Sequence, residues 1–372
     1  MTPRAMETQS NARQWSLLIL GRHSPQAASS RLRTHQFRPY FEAEGAQVTY
    51  SPFFDEDYLH HLYTTRGRRL KHILAAYMRR AGALLGAKTY DLLLIEKELF
   101  PYLPGPFEQL AKLTGAPWVL DYDDAYFHAY NQHRSRLVRY VLGNKLDSLI
   151  GGANLVITGN SYLRDYMSQH GARRTILQPT VLDIQRYKVQ PEPKVSPMRI
   201  GWIGTPETTK YLSIIFGTLA RLNQVHPICL VTIGASPISD ARFLIEQHPW
   251  TLESEADLLS TIHVGIMPLP DEPWERGKCG YKLIQYMACG RPVVASPVGM
   301  NVDLVRPAVG MLAANELEWY EALLSLCEDR NLCARMGRTG RRLVESDYSL
   351  QSVGPHFARL LADVATQRGI LA

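Results

Sequence analysis

The sequence predicts an α/β protein built from two doubly wound domains that face each other across a cleft. Apolar strand-like runs alternate with helical segments along the chain, a pattern typical of parallel sheets covered by helices. The pattern is interrupted at residues 189–197, VQPEPKVSP, where three prolines and no apolar periodicity indicate a linker. A length of 372 residues with 45% apolar residues is enough to fill two cores. Because ligands of such sheets bind outside the carboxyl ends of the strands, the cleft is the expected site.

The individual elements follow from the same pattern. In the first half the predicted strands are Trp15–Leu20, Gln47–Tyr50, Leu92–Ile95, Trp118–Leu120 and Leu155–Thr158, and helices are predicted over Arg31–Glu44 and Phe107–Thr114. In the second half the predicted strands are Met198–Ile203, Ile228–Ile233, His263–Pro268 and Arg291–Ala295, and an amphipathic helix is predicted over Leu350–Gln367. The expected domains are 15–190 and 191–349, with a disordered tail at 1–14 and a C-terminal helix in 350–372.

Composition excludes several classes of protein. No run of 18 or more apolar residues occurs, which excludes a spanning helix, and the polar N-terminus MTPRAMETQSNARQ lacks the apolar core of a secretory signal. The five cysteines are odd in number and form no CxxC pair, which argues against a disulfide framework or a zinc site. We therefore expect a cytoplasmic protein.

Charge divides the chain into two unlike halves. Residues 1–190 carry 24 Lys+Arg and 16 Asp+Glu, whereas residues 191–372 carry 17 and 19. The segment from Tyr58 to Tyr90 has no acidic residue, and its cations alternate with apolar residues at helical spacing. Its basic residues are Arg66, Arg68, Arg69, Lys71, Arg79, Arg80 and Lys88. This stretch suits the inner face of an anionic membrane, or it is a core helix with a solvated basic side.

The segment ERGKCGYKLIQYMACGRPVVASPVG (275–299) carries the richest chemistry. It predicts a loop, a helix over about 280–289, a stop at Gly290 and a buried strand. Gly280 allows a ligand to approach the helix start, where the first amide groups are free donors. Lys278 and Lys282 add two cations beside those donors, so this loop is a candidate diphosphate site. The alternative is that both lysines are solvated surface residues.

The segment MRIGWIGTPETTKYL (198–212) predicts a second turn of the same kind. A buried strand ends at Gly204, a helix capped by Thr208 or Thr209 follows, and Lys210 lies near its start. The spacing from Gly201 to Gly204 is not GxGxxG, so no dinucleotide fingerprint is present. Such a turn also serves simply as a connection.

The run GIMPLPDEPWERGKCGYKLIQYMACGRPVVASPVGMNVDLV (265–305) resembles the donor-binding core of retaining glycosyltransferases of family 4, glycosyl transferases group 1. RIGWIGTP (199–206), RMGRTGRRLVESDYS (335–349) and SSRLRTHQFRPYFEAEGAQV (29–48) are also similar to that family, so the resemblance spans most of residues 15–365. It implies a GT-B fold of two Rossmann-like domains. It also implies a nucleotide diphosphate sugar (UDP- or GDP-sugar) as co-substrate on the C-terminal domain, an acceptor on the N-terminal domain and no required cofactor. The last helix is expected to cross back onto the first domain.

The chain departs from this family at two positions that many members fill with glutamate. The match places Gly277 at the first glutamate, near the sugar, and Gln285 at the second, on the ribose. Thr205 replaces the usual arginine after the first C-domain strand and leaves Lys210 as the phosphate partner. The GKCGYK loop resembles a variant branch of such transferases, and its residues are the donor-binding candidates. Together the donor-binding candidates are Gly204, Thr205, Lys210, Lys278, Cys279, Gly280, Tyr281, Lys282 and Gln285.

WVLDYDDAYFH (118–128) ends a buried strand in three carboxylates, where the family places residues facing the donor sugar. Asp121 and Asp123 are the catalytic candidates, as hydroxyl partners or as a base. Two alternatives remain open: a DxD metal site formed by the same pair, and an acidic loop that caps the next helix. No metal site is predicted in the GT-B context. Arg31 and Arg33 are candidates to contact an anionic acceptor, or they cap local structure.

Family resemblance implies retention of anomeric configuration, and no obvious nucleophile pair is present. We therefore expect front-face displacement, in which the leaving diphosphate helps to deprotonate the acceptor and the protein supplies positioning and positive charge. Two other functions compete with glycosyl transfer to a glycan or lipid-linked acceptor. The missing glutamates suggest an inactive sugar-nucleotide-binding scaffold. The basic half suggests a nucleic-acid-binding protein, although no recognition motif accompanies it, and nucleic acid is not an expected partner.

Overall fold

The computed structural model describes residues 14–55, 70–191, 193 and 196–366 and contains two six-stranded parallel sheets. The predicted tail therefore lies almost entirely outside the described residues, as do Arg66, Arg68 and Arg69 of the basic stretch. The sheets correspond to the two predicted α/β halves, so the predicted α/β class with two doubly wound sheets is confirmed.

The first sheet has the strand order β2-β1-β3-β4-β5-β6. Its strands are β1 (Trp15–Leu20), β2 (Ala46–Tyr50), β3 (Leu92–Glu96), β4 (Trp118–Tyr122), β5 (Leu155–Thr158) and β6 (Thr175–Leu177). Its α-helices are α1 (Ala28–Arg33), α2 (Arg38–Ala43), α3 (Leu70–Gly86), α4 (Gly105–Glu108), α5 (His128–Asn131), α6 (Arg136–Leu142), α7 (Asp147–Gly152) and α8 (Ser161–Gln169). Short 3₁₀-helices lie at His35–Phe37, Ala87–Thr89, Gln109–Thr114 and Ile184–Arg186.

The second sheet has the strand order β12-β11-β10-β7-β8-β9. Its strands are β7 (Met198–Ile203), β8 (Ile228–Ile233), β9 (Leu244–His248), β10 (Val264–Met267), β11 (Val293–Ala295) and β12 (Gly310–Leu312). Its helices are a 3₁₀-helix at Pro206–Ile215, then α9 (Phe216–Leu222), α10 (Glu255–Ser260), α11 (Pro273–Arg276), α12 (Tyr281–Ala288), α13 (Met300–Leu304), α14 (Glu316–Glu328) and α15 (Arg330–Asp347). The last helix is α16 (Leu350–Thr366).

All nine strands predicted from the sequence are present, within one or two residues at most ends. The three strands that the pattern missed are β6, β9 and β12. β6 and β12 have only three residues, and the edge strand β9, LIEQH, is polar and has no buried residue. Short or half-solvated edge strands lack the apolar run on which the prediction depended.

Two helix predictions were wrong in their details. The predicted helix Arg31–Glu44 is broken at Thr34, and a new helix, α2, starts with Pro39 in its first turn. The stretch Phe107–Thr114 is mostly a 3₁₀-helix. Neither Thr208 nor Thr209 caps the helix after β7; Thr205 is the N-cap, and its capping box with Thr208 sets the start of the helix.

The strand order of each sheet contains one reversal point, and these two points define the cleft. In each sheet the strand order reverses beside the first strand, between β1 and β3 in the first domain and between β7 and β10 in the second. Such reversal points open a crevice at the carboxyl ends of the strands. The loops after β3, β4, β7 and β10 therefore carry the residues available for a ligand.

The final helix, α16, packs against the first domain, as the family resemblance implied. Phe357 lies edge-on to Phe37 and Phe41, with ring centroids 4.9 and 5.4 Å apart. Leu361 and Val364 join the same apolar cluster, which includes residues of β1 and β3. The chain thus ties its two domains together twice, through the linker and through this helix.

All five cysteines are free thiols. Among the described residues, no helix combines the length and the apolar character required to cross a bilayer.

Candidate functional site

Gly204 and Trp202 form the floor of the site on the second domain. Gly204 ends β7 next to the reversal point, and a side chain at Gly204 would collide with the buried indole of Trp202. The Lys282 ammonium lies 4.4 Å from the centroid of that indole ring, at cation–π distance. The glycine after β7 and the lysine of α12, which are 78 positions apart in the sequence, therefore converge on one aromatic ring.

Gly280 shapes the start of α12. It is the N-cap residue and adopts a left-handed conformation, with φ 64° and ψ 17°. A side chain there would be strained and would also meet Leu304. The first amide groups of α12 have no partner within the helix and point out of its N-terminal end. The conformation explains why a glycine precedes this helix.

The predicted lysine pair is present at the boundary between the domains. Lys278 Nζ lies 4.0 Å from the carboxylate of Asp124, which belongs to the first domain. Burial, with repulsion by Lys278, lowers the pKa of Lys282 to about 7. An anion bound beside Lys282 would stabilise the protonated, charged form of this lysine. Lys278 therefore lies at the contact between the domains, whereas Lys282 lies against Trp202 of the second domain, and the diphosphate site stays a prediction.

The other donor-site candidates differ in their surroundings. Thr205 is exposed and caps its own helix, and Lys210 is exposed with its ammonium 5.2 Å from the Tyr211 ring centroid. Gln285 is buried, and its amide donates to the Tyr187 hydroxyl at 3.4 Å. Tyr187 thus takes one hydrogen bond of the Gln285 amide, and the predicted contact of Gln285 with a ribose hydroxyl stays a prediction.

Cys279 and its neighbours join the two domains rather than face a ligand. The Cys279 thiol donates to the carbonyl oxygen of Asp123 at 2.9 Å, and burial raises its pKa. The Asn160 amide donates to the carbonyls of Arg276 and Lys278, at 3.1 and 3.0 Å. Cys279 was predicted to bind the donor; the structure makes it a contact between the GKCG loop and the first domain.

Gly277 belongs to the same contact between the GKCG loop (residues 277–280) and the first domain. A Cβ at Gly277 would lie 2.5 Å from the Ala125 Cβ and 2.6 Å from the Ala125 amide nitrogen. These distances are far below a normal contact, so only glycine fits here. The position of Gly277 is therefore closed by the backbone of the first domain, and its match to a family glutamate stays a prediction.

Asp121 and Arg33 form a buried ion pair in the first domain. Arg33 Nε and Nη2 donate to the two Asp121 carboxylate oxygens, at 2.9 and 2.5 Å. Arg33 Nη1 donates to the Gln178 carbonyl at 2.9 Å, and both side chains are 2–3% exposed. Burial raises the pKa of Asp121 in spite of this partner. The expectations that Asp121 acts as a base and that Arg33 contacts an acceptor are corrected, because each is occupied by the other.

Asp123 has a different network and lies closer to the gap. Its carboxylate forms an ion pair with Lys97 at 2.9 Å and accepts from the Ser29 hydroxyl at 2.6 Å. Burial alone would raise the pKa of Asp123, but Lys97 and Arg33 outweigh that effect and lower it to about 2. Asp123 and Asp124 in turn raise the pKa of Lys97, although burial by itself would lower it. Asp123 and Lys97 are therefore both charged at neutral pH.

The two aspartates do not form a metal site in this arrangement. Each carboxylate is neutralised by its own cation, Arg33 for Asp121 and Lys97 for Asp123. No group of three or more potential metal ligands occurs within the described ranges.

Arg31 reaches across the gap to the second domain. Its guanidinium lies 5.6 Å from the ring centroid of Trp250, which follows β9. The Trp250 indole nitrogen donates to the buried Glu255 carboxylate at 2.6 Å. Arg31 thus belongs to a cross-domain contact, and its predicted acceptor contact remains a prediction.

Sequence reasoning missed three residues of the site. Lys97 follows β3 with a positive φ of 65°, which is rare outside glycine and often marks functional positions. Arg22 follows β1, lies over the Tyr126 ring at 4.1 Å and pairs with buried Glu98. Glu275 is buried, and among the described residues one of its oxygens has no hydrogen-bond partner. Only the placement of Lys97 and Arg22 directly after apolar strands could have suggested them.

A half-open pocket lies away from this site. A cavity of about 180 Å³ is lined by Val189 and Gln190 of the linker region and by Arg291, Cys333 and Arg338. It contains none of the predicted site residues.

The comparisons with known proteins match the second domain and the whole fold. Residues 197–329 match the family model described as glycosyl transferases group 1. No sequence relative among curated proteins matches the chain.

Solved structures resemble the chain over nearly its whole length. Anabaena HepE, in complex with UDP and glucose, superposes with a TM-score of 0.69 at 17% identity, covering 94% of this chain and 100% of its own. A sucrose-phosphate synthase from Thermosynechococcus elongatus gives 0.68 at 16% identity, covering 95% and 100%. WaaG, a glycosyltransferase involved in lipopolysaccharide biosynthesis, gives 0.65 at 12% identity, covering 93% and 99%. The family match and the shared fold support a GT-B glycosyltransferase.

Proposed function

We propose that the protein transfers a hexosyl group from a nucleotide diphosphate sugar to a glycan or lipid-linked acceptor, with retention of configuration, in polysaccharide or glycoconjugate synthesis. The observation that carries the proposal is the position of Lys278 and Lys282 on either side of Gly280 at the start of α12, with Lys278 beside Asp124 of the first domain. The family match over 197–329 covers these residues, and HepE in the same fold is bound to UDP and glucose. UDP and GDP are both suitable donor nucleotides.

The donor diphosphate occupies the start of α12. Lys278 and Lys282 supply positive charge, and the amides of Tyr281 and Lys282 donate to phosphate oxygens. Gly280 supplies the left-handed turn that starts α12 and leaves these first amides free to donate. No cofactor or metal takes part in this proposal.

The chemical step is a displacement on one face of the sugar. The acceptor hydroxyl attacks the anomeric carbon while the bond from that carbon to the diphosphate oxygen breaks. The hydroxyl proton passes to the departing diphosphate oxygen on the same face, and this keeps the configuration. With a pKa of about 2, Asp123 is too weak a base to take that proton at neutral pH, so it binds hydroxyl groups instead. Lys278 and Lys282 stabilise the charge that develops on the leaving group.

Asp121 acts through position rather than by contact with substrate. With Arg33 it anchors the carboxyl end of β4 to α1 and to the Gln178 carbonyl. That anchor fixes the segment in which Asp123 and Asp124 lie. The acceptor binds on the first domain beside Arg31 and Asp123, in a cytoplasmic protein attached to the inner face of the membrane.

A second function, binding of a sugar nucleotide without turnover, is favoured by one observation. Of the two positions that the resemblance matches to glutamates, Gly277 packs directly against Ala125 and leaves no space for a side chain. Gln285, at the other, is a buried amide. Release of nucleotide diphosphate in the presence of an acceptor distinguishes the enzyme from the scaffold.

The test compares nucleotide diphosphate with nucleoside. Lys278→Ala combined with Lys282→Ala should weaken binding of UDP or GDP by roughly 100- to 10,000-fold, at about 1.5–3 kcal/mol for each of two charged hydrogen bonds, and leave nucleoside binding nearly unchanged. Isothermal titration calorimetry measures both affinities. Lys188→Ala, which changes an exposed lysine of the linker region, is the matched control. Equal losses for the two ligands would show that the lysines do not contact the phosphates.

A further inference from the structure

A row of aromatic rings crosses the contact between the two domains. Tyr126, in the loop after β4, lies edge-on to Trp274 of α11, with ring centroids 6.4 Å apart. The guanidinium carbon of Arg22, after β1, lies 4.1 Å from the Tyr126 ring centroid and 6.0 Å from the ring centroid of Tyr102, which follows β3. We define the aromatic platform as Tyr102, Tyr126 and Trp274. Its rings come from loops at the carboxyl ends of strands, where sheets of this kind bind ligands.

The rings of the aromatic platform are held in place but not covered. Tyr102 is 50% exposed, and Tyr126 and Trp274 are half-buried. Tyr102 adopts a positive φ of 64°, and its backbone N–H donates to the hydroxyl of buried Tyr130 at 3.1 Å. A non-glycine residue fixed in this conformation is rare and often lies at a functional position. The platform therefore offers fixed aromatic surface to a ligand.

The charges behind the aromatic platform are already paired. Arg22 forms an ion pair with Glu98, and Lys145 lies 2.6 Å from Glu98 and 3.1 Å from Glu108. All four side chains are buried. An anionic ligand would have to displace Glu98 from Arg22 and leave a buried carboxylate without this partner, which is costly. A neutral ligand leaves the network intact.

A neutral sugar ring has the chemistry that the aromatic platform complements. The faces of tyrosine and tryptophan rings carry partial negative charge and attract positively polarised C–H groups, which line the faces of a sugar ring. The tyrosine hydroxyls and the indole N–H form hydrogen bonds with hydroxyl groups at the rim of a sugar. Tyrosine and tryptophan also lose little conformational entropy on binding, because each has only two side-chain torsions.

We propose that the aromatic platform binds a neutral sugar ring of the acceptor. The inference rests on the proposed function, since it names the acceptor group that the platform recognises. Lys278, four residues after Trp274, lies 4.0 Å from Asp124, and the Tyr126 backbone N–H donates to the Asp124 carbonyl at 2.8 Å. The platform thus adjoins the start of α12, where the leaving diphosphate is proposed to bind. Because Trp274 belongs to the second domain and Tyr126 to the first, both domains contribute to acceptor recognition.

Saturation-transfer difference NMR tests binding directly. The full chain is mixed with methyl glycosides of glucose, galactose, mannose and N-acetylglucosamine, with and without UDP or GDP, and the aromatic protons of the protein are irradiated. Saturation should reach the C–H protons of at least one glycoside. Trp274→Ala and Tyr102→Ala should each weaken binding roughly 3- to 10-fold, the loss of one aromatic contact, and Trp274→Phe should keep most of it. Tyr140→Ala, which removes a ring that is 89% exposed and outside the platform, is the matched control.

A transfer assay separates recognition of the acceptor from a general structural role. With UDP- or GDP-sugars as donors and the same glycosides as acceptors, Trp274→Ala should raise KM for the glycoside roughly 3- to 10-fold and leave KM for the donor nearly unchanged. Circular dichroism of each variant excludes loss of fold as the cause. Three results would overturn the proposal: no saturation of any glycoside, equal losses in Tyr140→Ala, or displacement of the glycoside by inorganic phosphate, which would indicate an anion site at Arg22.

The proposed function is tested separately from the aromatic platform. Thermal shift with UDP- and GDP-sugars measures donor binding, and release of nucleotide diphosphate measures turnover. Glycoside binding that depends on Trp274 but is never accompanied by release of nucleotide diphosphate would refute the proposed function alone. Release that requires an acceptor but is unchanged in Trp274→Ala and Tyr102→Ala would refute the platform alone.

Discussion

Among single residues, Lys282 connects burial most directly with ligand binding. Burial and the neighbouring Lys278 lower its pKa to about 7, from an ordinary value of 10.5. In the free protein the neutral form therefore predominates above pH 7. A bound diphosphate favours the charged form, so binding must take up a proton in that range.

We predict that affinity for a nucleotide diphosphate sugar is highest below pH 7 and falls as the pH rises from 7 towards 9. At pH 8, calorimetry in buffers of different ionisation enthalpy should detect uptake of close to one proton per complex. Lys282→Met should abolish the uptake and lower affinity by roughly 10–100-fold, the loss of one charged hydrogen bond. Lys188→Met, an exposed lysine, serves as the control, and unchanged proton uptake in Lys282→Met would refute the assignment.

Two further side chains show how a residue's partners decide its role. Asp121 and Asp123 are two positions apart, yet Asp121 is occupied by Arg33, whereas Asp123 shares Lys97 and Ser29 near the gap. The spacing of the two aspartates predicted a site but did not distinguish anchor from ligand. That distinction depends on cations that precede Asp121 by 88 residues in one case and Asp123 by 26 in the other.

At the scale of elements, the GKCG loop serves two purposes. Its glycines fit the loop against the first domain at Ala125 and shape the start of α12 at Gly280. Its lysine, Lys278, lies beside Asp124 of the first domain. Close packing of the loop therefore sets the position of the phosphate-binding charges, and a change at this contact should alter the site.

We predict that Gly277→Glu, which introduces the residue common in the family, lowers activity instead of raising it. The new side chain has no space beside Ala125, and overpacking of this kind costs about 1–3 kcal/mol. Thermal unfolding and release of nucleotide diphosphate measure the two effects. Gly82→Glu, where a Cβ would have no neighbouring atom within 4 Å, should leave unfolding almost unchanged. A gain of activity in Gly277→Glu would contradict the close packing of Gly277 against Ala125.

At the scale of the whole molecule, α16 joins the first domain to the end of the second. Phe357 is 1% exposed and packs edge-on against Phe37 and Phe41. The contact belongs to the core of the first domain although the helix follows the second in sequence. The two domains consequently depend on each other for stability.

We predict that Phe357→Ala lowers the free energy of unfolding by about 3–5 kcal/mol, the usual cost of removing a buried phenyl ring. Urea denaturation followed by tryptophan fluorescence measures the change. His356→Ala, an exposed neighbour on the same helix, should cost less than about 0.5 kcal/mol. A loss below about 1 kcal/mol for Phe357→Ala would show that the helix contributes little to this core.

The sequence by itself determined the alternation of strands and helices, the two parallel sheets and the glycine–lysine loop at the start of α12. These features depend on local periodicity and on the conformational freedom of glycine, which short windows of sequence record. Only the tertiary structure decided that Arg33 neutralises Asp121 and that Gly277 and Cys279 pack against the first domain. Each of these depends on contacts between residues far apart in the chain, and burial and charge at such contacts are set by the packing of the sheets.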